Sequence, residues 1–576
     1  MKINKYFTIA LLAATTLGAM SSCSDDDNLG EAPRLFRPVA SLETNSNTIK
    51  VTWDNINGAT EYQLKLYRVA SIDANGDNVY EQVTTATCAS SPYTFTDLAW
   101  DEKYHVAISC KNAAKGSGEY TTNDVNINYI SCLTTSKAID NASRISWNTD
   151  GEVIKAIVAK PAGEGESITV LVSDAEFQAG YKDVYGLTPE TSYTFYTYKD
   201  AETFNNSTYA GKLTATTKAS TNFDEKYGVG LWLDIRDWDM TGHADTLQKA
   251  EFWALVSEGM TVILRGEEQY KVNNNIKFDR SVTFVTGPTL GGNATFLSSG
   301  GMTCATNANV QKVKFEDIDF ISDKAIEGGG YEIATNTDKG FGGRQVFNEN
   351  NTSSTLGELI FKNCTITGYR AVVRAQSSTD NIGKIEFNGC IINGVGDQGV
   401  VTCADKGPDW NTINVLNSTI TNVVMFCDMR ATVTPPTLNF DNCTFCYAPI
   451  ETSANANTPL FRFNSNAAIV NINNTLFGPA LATENGAGST LQTYKPGNTI
   501  GSVFLNGASA LVSVSKSFKT NFKWAEIGAN ATTYPIDGLN ELSMDETQLW
   551  QAPSDGDFKV IGNIGEEGIG DPRWQQ

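Results

Sequence analysis

The chain is poor in histidine: His105 and His243 are the only two in 576 residues. With so few, a histidine-rich metal centre is excluded, and a Ser-His-Asp triad, which would need one of these two, is not expected. Basic residues are also short, 43 against 65 acidic, for a net charge of −22. A field of that sign disfavours nucleic acid and other polyanions unless a local basic patch or a bound cation intervenes. Long helical periodicity is nearly absent. Beyond the N terminus no apolar stretch reaches the ~20 residues of a membrane-spanning helix. No glycine-rich phosphate loop occurs, and no cysteine–histidine cluster has the character of a zinc site.

What is present points to an all-β chain. Hydrophobic residues make up 41% and charged residues 19%, a globular balance, and 49 glycines accompany frequent asparagine and threonine. The length predicts more than one domain.

Residues 35–134 alternate apolar and polar. Ile49-Lys50-Val51-Thr52-Trp53 and Tyr62-Gln63-Leu64-Lys65-Leu66-Tyr67 read as strands around a turn at Asn57-Gly58, and Leu98 precedes Tyr104. Residues 135–219 repeat the plan with Ile145-Ser146-Trp147 and Leu187-Thr188-Pro189-Glu190-Thr191-Ser192-Tyr193. An early strand Trp with a later Leu…Tyr corner resembles the fibronectin type III sandwich. The first copy departs from that pattern at Trp100, where Pro is usual after Leu.

Residues 220–576 differ. Asp245 and Gln248 predict a capped helix over 245–258 whose face is Leu247, Ala250, Phe252, Leu255 and Val256. A repeat follows. Its copies are Phe315-Glu316-Asp317-Ile318-Asp319-Phe320, Phe361-Lys362-Asn363-Cys364-Thr365-Ile366, Phe387-Asn388-Gly389-Cys390-Ile391-Ile392, Val415-Leu416-Asn417-Ser418-Thr419-Ile420, Phe440-Asp441-Asn442-Cys443-Thr444-Phe445 and Ile472-Asn473-Asn474-Thr475-Leu476-Phe477. Coils of roughly two dozen residues stack strand on strand and bury one continuous core. The first and last residues of each copy point inward. The recurring Asn takes the left-handed bend between strands, where its amide can bond to that of the next coil. The helix covers the open end of the stack. This region resembles the right-handed parallel β-helix of pectate lyases and polygalacturonases, a likeness that implies a fold more than an activity.

The N terminus carries an address. Lys2 and Lys5 precede an apolar core from Phe7 to Met20, then Ser21, Ser22 and Cys23, followed by Ser24-Asp25-Asp26-Asp27. Residues 1–22 resemble a bacterial lipoprotein signal, which implies cleavage before Cys23 and its acylation. The acidic run in the 23–34 tether resembles the surface-export signal of Bacteroidota outer-membrane lipoproteins. Such lipoproteins, with sandwich modules before a pectate-lyase-like region and a tail like Gly570-Asp571-Pro572-Arg573-Trp574, occur in polysaccharide-utilisation systems. The resemblance implies a lipid-anchored, surface-exposed outer-membrane location. It implies a polysaccharide ligand and glycan-importer proteins as partners, and the net charge of −22 argues for no nucleic acid.

Of eleven cysteines, Cys364, Cys390 and Cys443 share one repeat position and are expected to stack in the core. Cys110 and Cys132 are expected as a candidate pair between strands of the first sandwich.

The resemblance to pectate lyases and polygalacturonases implies that substrate lies along the strand after each copy, which makes that strand the candidate binding face. Alignment there points Val373, Val401, Phe426 and Phe461 inward and Arg374, Thr402, Cys427 and Arg462 outward. Arg374 and Arg462, with Arg430, could hold sugar carboxylates bidentately. Trp410 offers a stacking platform, and Asp405, Asp409 and Asp428 a calcium site. Catalysis is not legible. Arg374, Lys406, Arg430, Arg462 and Arg344 are the basic groups a lyase could use, but none stands in a family motif. Asn336-Thr337-Asp338 echoes a hydrolase motif without its companions. The leading expectation is a surface polysaccharide binder carried on two spacer sandwiches. A pectin-type lyase or hydrolase and an adhesive or assembly role are the alternatives.

Overall fold

The computed structural model describes residues 34–238, 244–274, 276–327, 340–350, 352–403, 410–430, 436–450, 459–463, 468–483, 494–496, 499–500, 511–524, 535–562, 564 and 567–575. Cys23, Asn336-Thr337-Asp338 and His243 lie outside them. No helix of the described residues is long and apolar enough to cross a membrane.

The chain is all-β, with two fibronectin type III-like sandwiches followed by a parallel β-helix. In the first sandwich, Ala40–Asn45, Thr48–Trp53 and Tyr93–Phe95 form a three-stranded antiparallel sheet. It faces a second sheet built on Glu61–Ile72, Asn78–Cys88 and Glu102–Lys111. Trp53 is buried between the sheets against Tyr62, ring centroids 5.1 Å apart. The Tyr104 hydroxyl accepts the Ala99 N–H at 3.1 Å, tying the corner behind buried Leu98. The second sandwich repeats this. Its Trp147 lies on Phe177, and the Tyr193 hydroxyl accepts the Thr188 N–H at 3.0 Å.

Trp100, the departure from the corner pattern, is an interdomain contact. Its indole N–H donates to the Asn206 carbonyl at 3.2 Å, and its ring meets Tyr129 beside Val158, Tyr198 and Tyr209 of the second sandwich. A proline there could make neither contact.

The cysteine pair expected in the first sandwich does not form: Cys110 and Cys132 are both free thiols. Cys110 is buried and points at the Phe36 carbonyl, while Cys132 has passed into the second sandwich and points at the Glu152 carbonyl.

The β-helix is built on two long parallel sheets. Trp232–Asp234, Met260–Leu264, Val282–Thr286, Asn309–Glu316, Thr355–Lys362, Asn381–Asn388, Trp410–Leu416, Thr437–Asp441, Ile469–Asn473 and Leu511–Ser515 make one of them. The other includes Ala294–Ser298, Ile318–Ser322, Thr365–Ala375, Ile391–Thr402, Thr419–Val423 and Thr444–Cys446.

Every repeat copy straddles the bend between these sheets. Asp317, Asn363, Asn417, Asn442 and Asn474 have φ of 55°, 51°, 50°, 54° and 47°, and Gly389 takes the same place at 68°. The amides ladder as expected: Asn363 donates to Asp317 at 3.1 Å and Asn442 to Asn417 at 3.2 Å. A Cβ at Gly389 would lie 2.4 Å from the Asn363 side-chain oxygen, so that side chain would have to shift to admit one.

Inside, Phe284, Phe315, Phe361 and Phe387 stack at 5.9, 5.3 and 5.2 Å. Cys364, Cys390 and Cys443 are buried, and their Sγ atoms point at the Phe315, Phe361 and Val415 carbonyls of the preceding coil. Cys443 and Cys446 have Cys-x-x-Cys spacing, yet they pack in separate apolar clusters as free thiols.

The capping helix is shorter than expected. Thr246–Gln248 is a single 3-10 turn and Ala250–Trp253 a single α turn, with Lys249 extended between them. Asp245 caps nothing and pairs with Lys249, and Gln248 donates to the Lys271 carbonyl instead of closing a capping box. Leu247, Phe252 and Val256 still join the core, and Trp253 meets Phe278 and Phe284 edge-on. Ala250 and Leu255, expected on that face, are exposed.

The C-terminal tail folds back over the bends. Gly570 N–H donates to Asn474, and buried Asp571 accepts from Thr419 at 2.7 Å. The Trp574 indole also donates to Thr419.

Candidate functional site

A third parallel face runs along the stack. Lys277–Phe278 pairs with Thr303–Cys304, and Met302 bridges Phe347, which brings Thr303 beside Asn348. Asn348 then pairs with Arg374, Arg374 with Thr402, Thr402 with Asp428 and Asp428 with Arg462. The outward row is therefore Lys277, Thr303, Asn348, Arg374, Thr402, Asp428 and Arg462. At about 4.8 Å per strand it extends about 29 Å. The neighbouring inward positions are Phe278, Cys304, Glu349, Ala375, Cys403, Met429 and Phe463, all buried.

Three of the four residues expected to point outward, Arg374, Thr402 and Arg462, share this row. Cys427, expected outward, is a correction. It pairs with Val401 and Phe461 and is buried, so Asp428 takes the outward place. The shift arises because residues 424–426 leave the ladder and Phe426 wedges inward against Phe440 at 5.0 Å.

Asp428 is a second correction. It accepts a bidentate pair from Arg430 at 2.8 and 2.9 Å and a contact from Arg462 at 3.4 Å, with its side chain 5% exposed. Two guanidiniums surround that carboxylate, leaving it unsuited to calcium or to a sugar hydroxyl. Thr402 is only 2% exposed and its hydroxyl lies 3.5 Å from the Asp428 carbonyl, so it backs the row and offers no contact surface.

Trp410 is a third correction. It opens the strand Trp410–Leu416, pairs with Ile382 and is 0% exposed, so no sugar can stack on it. Asp405, Lys406 and Asp409 lie outside the described residues. Among the described residues no group of three His, Cys, Asp or Glu side chains could hold a metal. Arg344, the remaining basic candidate, is held bidentately by Asp323 at 2.7 and 3.0 Å.

Lys277 and Thr303 were missed because their coils lack the Phe-x-Asn repeat, and Asn348 because more than twenty residues separate it from its copy at 315–320. The only signal is local alternation: Ile276-Lys277-Phe278 and Met302-Thr303-Cys304 each place a polar side chain between two inward ones.

At this end of the row lies a cavity of about 290 Å³, lined by Asn274, Lys277, Thr303, Thr306, Asn348 and Thr352 among others. Behind it sits Glu349, 0% exposed. Glu349 accepts the Cys304 N–H at 2.8 Å and hydroxyls of Thr352 at 2.6 Å, Thr303 at 3.2 Å and Ser354 at 3.2 Å. Burial and the Glu349 charge together push the Cys304 thiol far up, so it stays neutral.

A larger cavity, about 450 Å³, opens where the second sandwich meets the β-helix, between Arg144, Tyr181, Tyr185, Arg265, Glu267 and Glu268. Its charges answer one another. Arg144 grips Asp183 at 2.7 and 2.8 Å and reaches across to Glu267. Arg144 lies over Tyr181 at 4.0 Å, and Arg265 over Tyr185 at 3.9 Å. Burial, helped by the Asp183 and Glu267 charges, raises Glu268 against the pull of Arg265. Nearby, buried Arg236 joins Asp234 of the β-helix to Asp140 of the sandwich, the latter at 2.9 and 3.1 Å. This arrangement is a clamp between domains, with its charged groups spent on one another.

No family model matches the chain, and no curated protein matches it. Among solved structures, a two-domain fibronectin type III segment from chicken tenascin is similar at 12% identity over 32% of this chain and 99% of that one, with a TM-score of 0.14. The FN1–FN3 domains of chicken CNTN1 are similar at 16% identity over 33% of this chain and 69% of that one, also at 0.14. The sandwich assignment rests on the sheet order and the two tyrosine corners.

Proposed function

We propose that this protein binds an acidic, pectin-type polysaccharide at a cell surface, held there through acylated Cys23 as part of a glycan-utilisation system. One observation carries the reading. In a chain of net charge −22, the outward row of the β-helix bears Lys277, Arg374 and Arg462, with Arg430 alongside, against one carboxylate, Asp428, among the described residues. Such a row supplies the local positive patch a polyanion needs on an acidic protein. Its regular spacing suits an extended, repeating ligand. Guanidiniums bind sugar carboxylates directly, so calcium need not bridge them. The two sandwiches, clamped to each other and to the β-helix, would hold the row away from the membrane.

The test is a binding panel with the soluble chain of residues 24–576 against polygalacturonate and neutral polysaccharides, with and without calcium. Binding of polygalacturonate without calcium, abolished in the Arg374→Ala/Arg462→Ala double variant, is the expected result. Unchanged affinity in that variant would refute the row as the binding face. New unsaturated uronate ends in the same incubation would show a lyase instead of a binder.

A further inference from the structure

The row ends in a built cavity, and its lining has a definite chemistry. Asn274, Asn348 and Asn350 supply amides, and Thr303, Thr306 and Thr352 supply hydroxyls. Lys277 is the one charged residue of the lining, and among the described residues it has no ion-pair partner. The carboxylate behind the wall, Glu349, is turned inward and receives one N–H and three hydroxyls, which removes it from the cavity surface. The cavity therefore offers neutral hydrogen-bonding groups and one cation. That differs from the junction cavity, where carboxylates and cations pair off.

The wall is also fixed. Asn274 accepts the Gly301 N–H at 2.8 Å, and Asn348 accepts from Gln376 at 2.8 Å. Thr352 is held by its hydroxyl, which donates to Glu349 at 2.6 Å, and by its backbone N–H, which donates to Asp380 at 2.8 Å, and both carboxylates are 0% exposed. Pre-set groups lose little freedom when a ligand arrives. The volume, about 290 Å³, sits at the small end of the roughly 300–1,000 Å³ typical of small-molecule sites. It accommodates one or two sugar rings and no longer chain.

We propose that this cavity is the terminal subsite of the binding row, taking the end unit of an acidic glycan. Its carboxylate meets Lys277, and its hydroxyls meet the Asn and Thr side chains. The inference rests on the reading of the row as a glycan-binding face and adds that the protein grips chain ends. Asn348 belongs to both features: it lines the cavity and pairs in register with Arg374. A chain whose end sits in the cavity is thus led onto the arginines.

The probes are digalacturonate, its neutral counterpart galactobiose, and a long oligogalacturonate, titrated calorimetrically against the soluble chain of residues 24–576. Lys277→Ala should weaken digalacturonate at least tenfold, and Asn348→Ala should do the same. Arg462→Ala, at the far end of the row, should weaken the long oligomer more than digalacturonate. Lys277 is exposed, so its variant keeps the fold. Unchanged digalacturonate affinity in both cavity variants, with the long oligomer still bound by the parent chain, would overturn the subsite and spare the row. Equal affinity for galactobiose would overturn the acidic class of ligand. Failure of the parent chain to bind any uronate oligomer would overturn the row and the subsite together.

Discussion

The sandwiches and the β-helix solve burial in opposite ways. Each sandwich relies on single anchors: one tryptophan between sheets, one tyrosine corner, each made once. The β-helix uses the same position over and over. Phe315, Phe361 and Phe387 stack on one another from coil to coil, and Asn417 and Asn442 bond each other at equivalent bends. In the sandwich a residue is irreplaceable because nothing else does its work. In the β-helix a residue matters because two neighbours rely on it. A ladder also tolerates local exceptions when they are fully satisfied, which is how Glu349 can stand in a row of Phe, Cys, Ala and Met.

The largest expected effect tests the ladder. Phe361→Ala removes a ring stacked on both sides and should cost about 3–5 kcal/mol of stability by chemical denaturation. A loss near 1 kcal/mol would mean that the coils do not share one continuous core. Arg236→Ala comes next, because it strands Asp140 and Asp234 at the junction, at about 3 kcal/mol or more. It should also separate sandwich unfolding from β-helix unfolding in the same curve, and a single unchanged transition would count against the clamp.

Tyr193→Phe should cost about 1 kcal/mol, one corner hydrogen bond, and Tyr104→Phe about the same. If either proves neutral, the single-anchor account of the sandwiches fails at that corner. The smallest effect is at the junction cavity. Glu268 has a raised folded pKa, so it favours folding below its unfolded pKa, and that contribution is lost as pH rises through the folded value. Glu268→Gln should then stabilise the chain near pH 7 by a few tenths of a kcal/mol after solvent screening, and not at all near pH 3. Greater stabilisation at pH 3 than at pH 7 would contradict the sign.

Much of the fold was legible because it is written in local patterns. The Phe-x-Asn-Cys repeat announced its own bends, and every Asn expected to be left-handed is so. The two Leu…Tyr corners were equally plain. The site was legible only in part. Arg374 and Arg462 were placed by counting alternation from the repeat, which worked where the strand was regular. It failed at Cys427, where Phe426 wedges inward and shifts the outward place to Asp428. Trp410 looked like a surface aromatic next to a turn, but the strand it opens turns it into the core. In place of the helix over 245–258 stand two single turns, and Gln248 meets the Lys271 carbonyl, a partner no local pattern shows.

By itself the sequence determined the class of each region and the conformation at each bend. Those follow from steric preference and apolar periodicity, which act within a few residues. Tertiary structure decided which polar groups stay available. Whether Asp428 could bind an ion depended on Arg430 and Arg462 closing on it, and whether Lys277 joins Arg374 in one row depended on the stacking of coils nearly a hundred residues apart in sequence. Charge pairing and register are set by neighbours in space, and they were fixed only once the chain was wound.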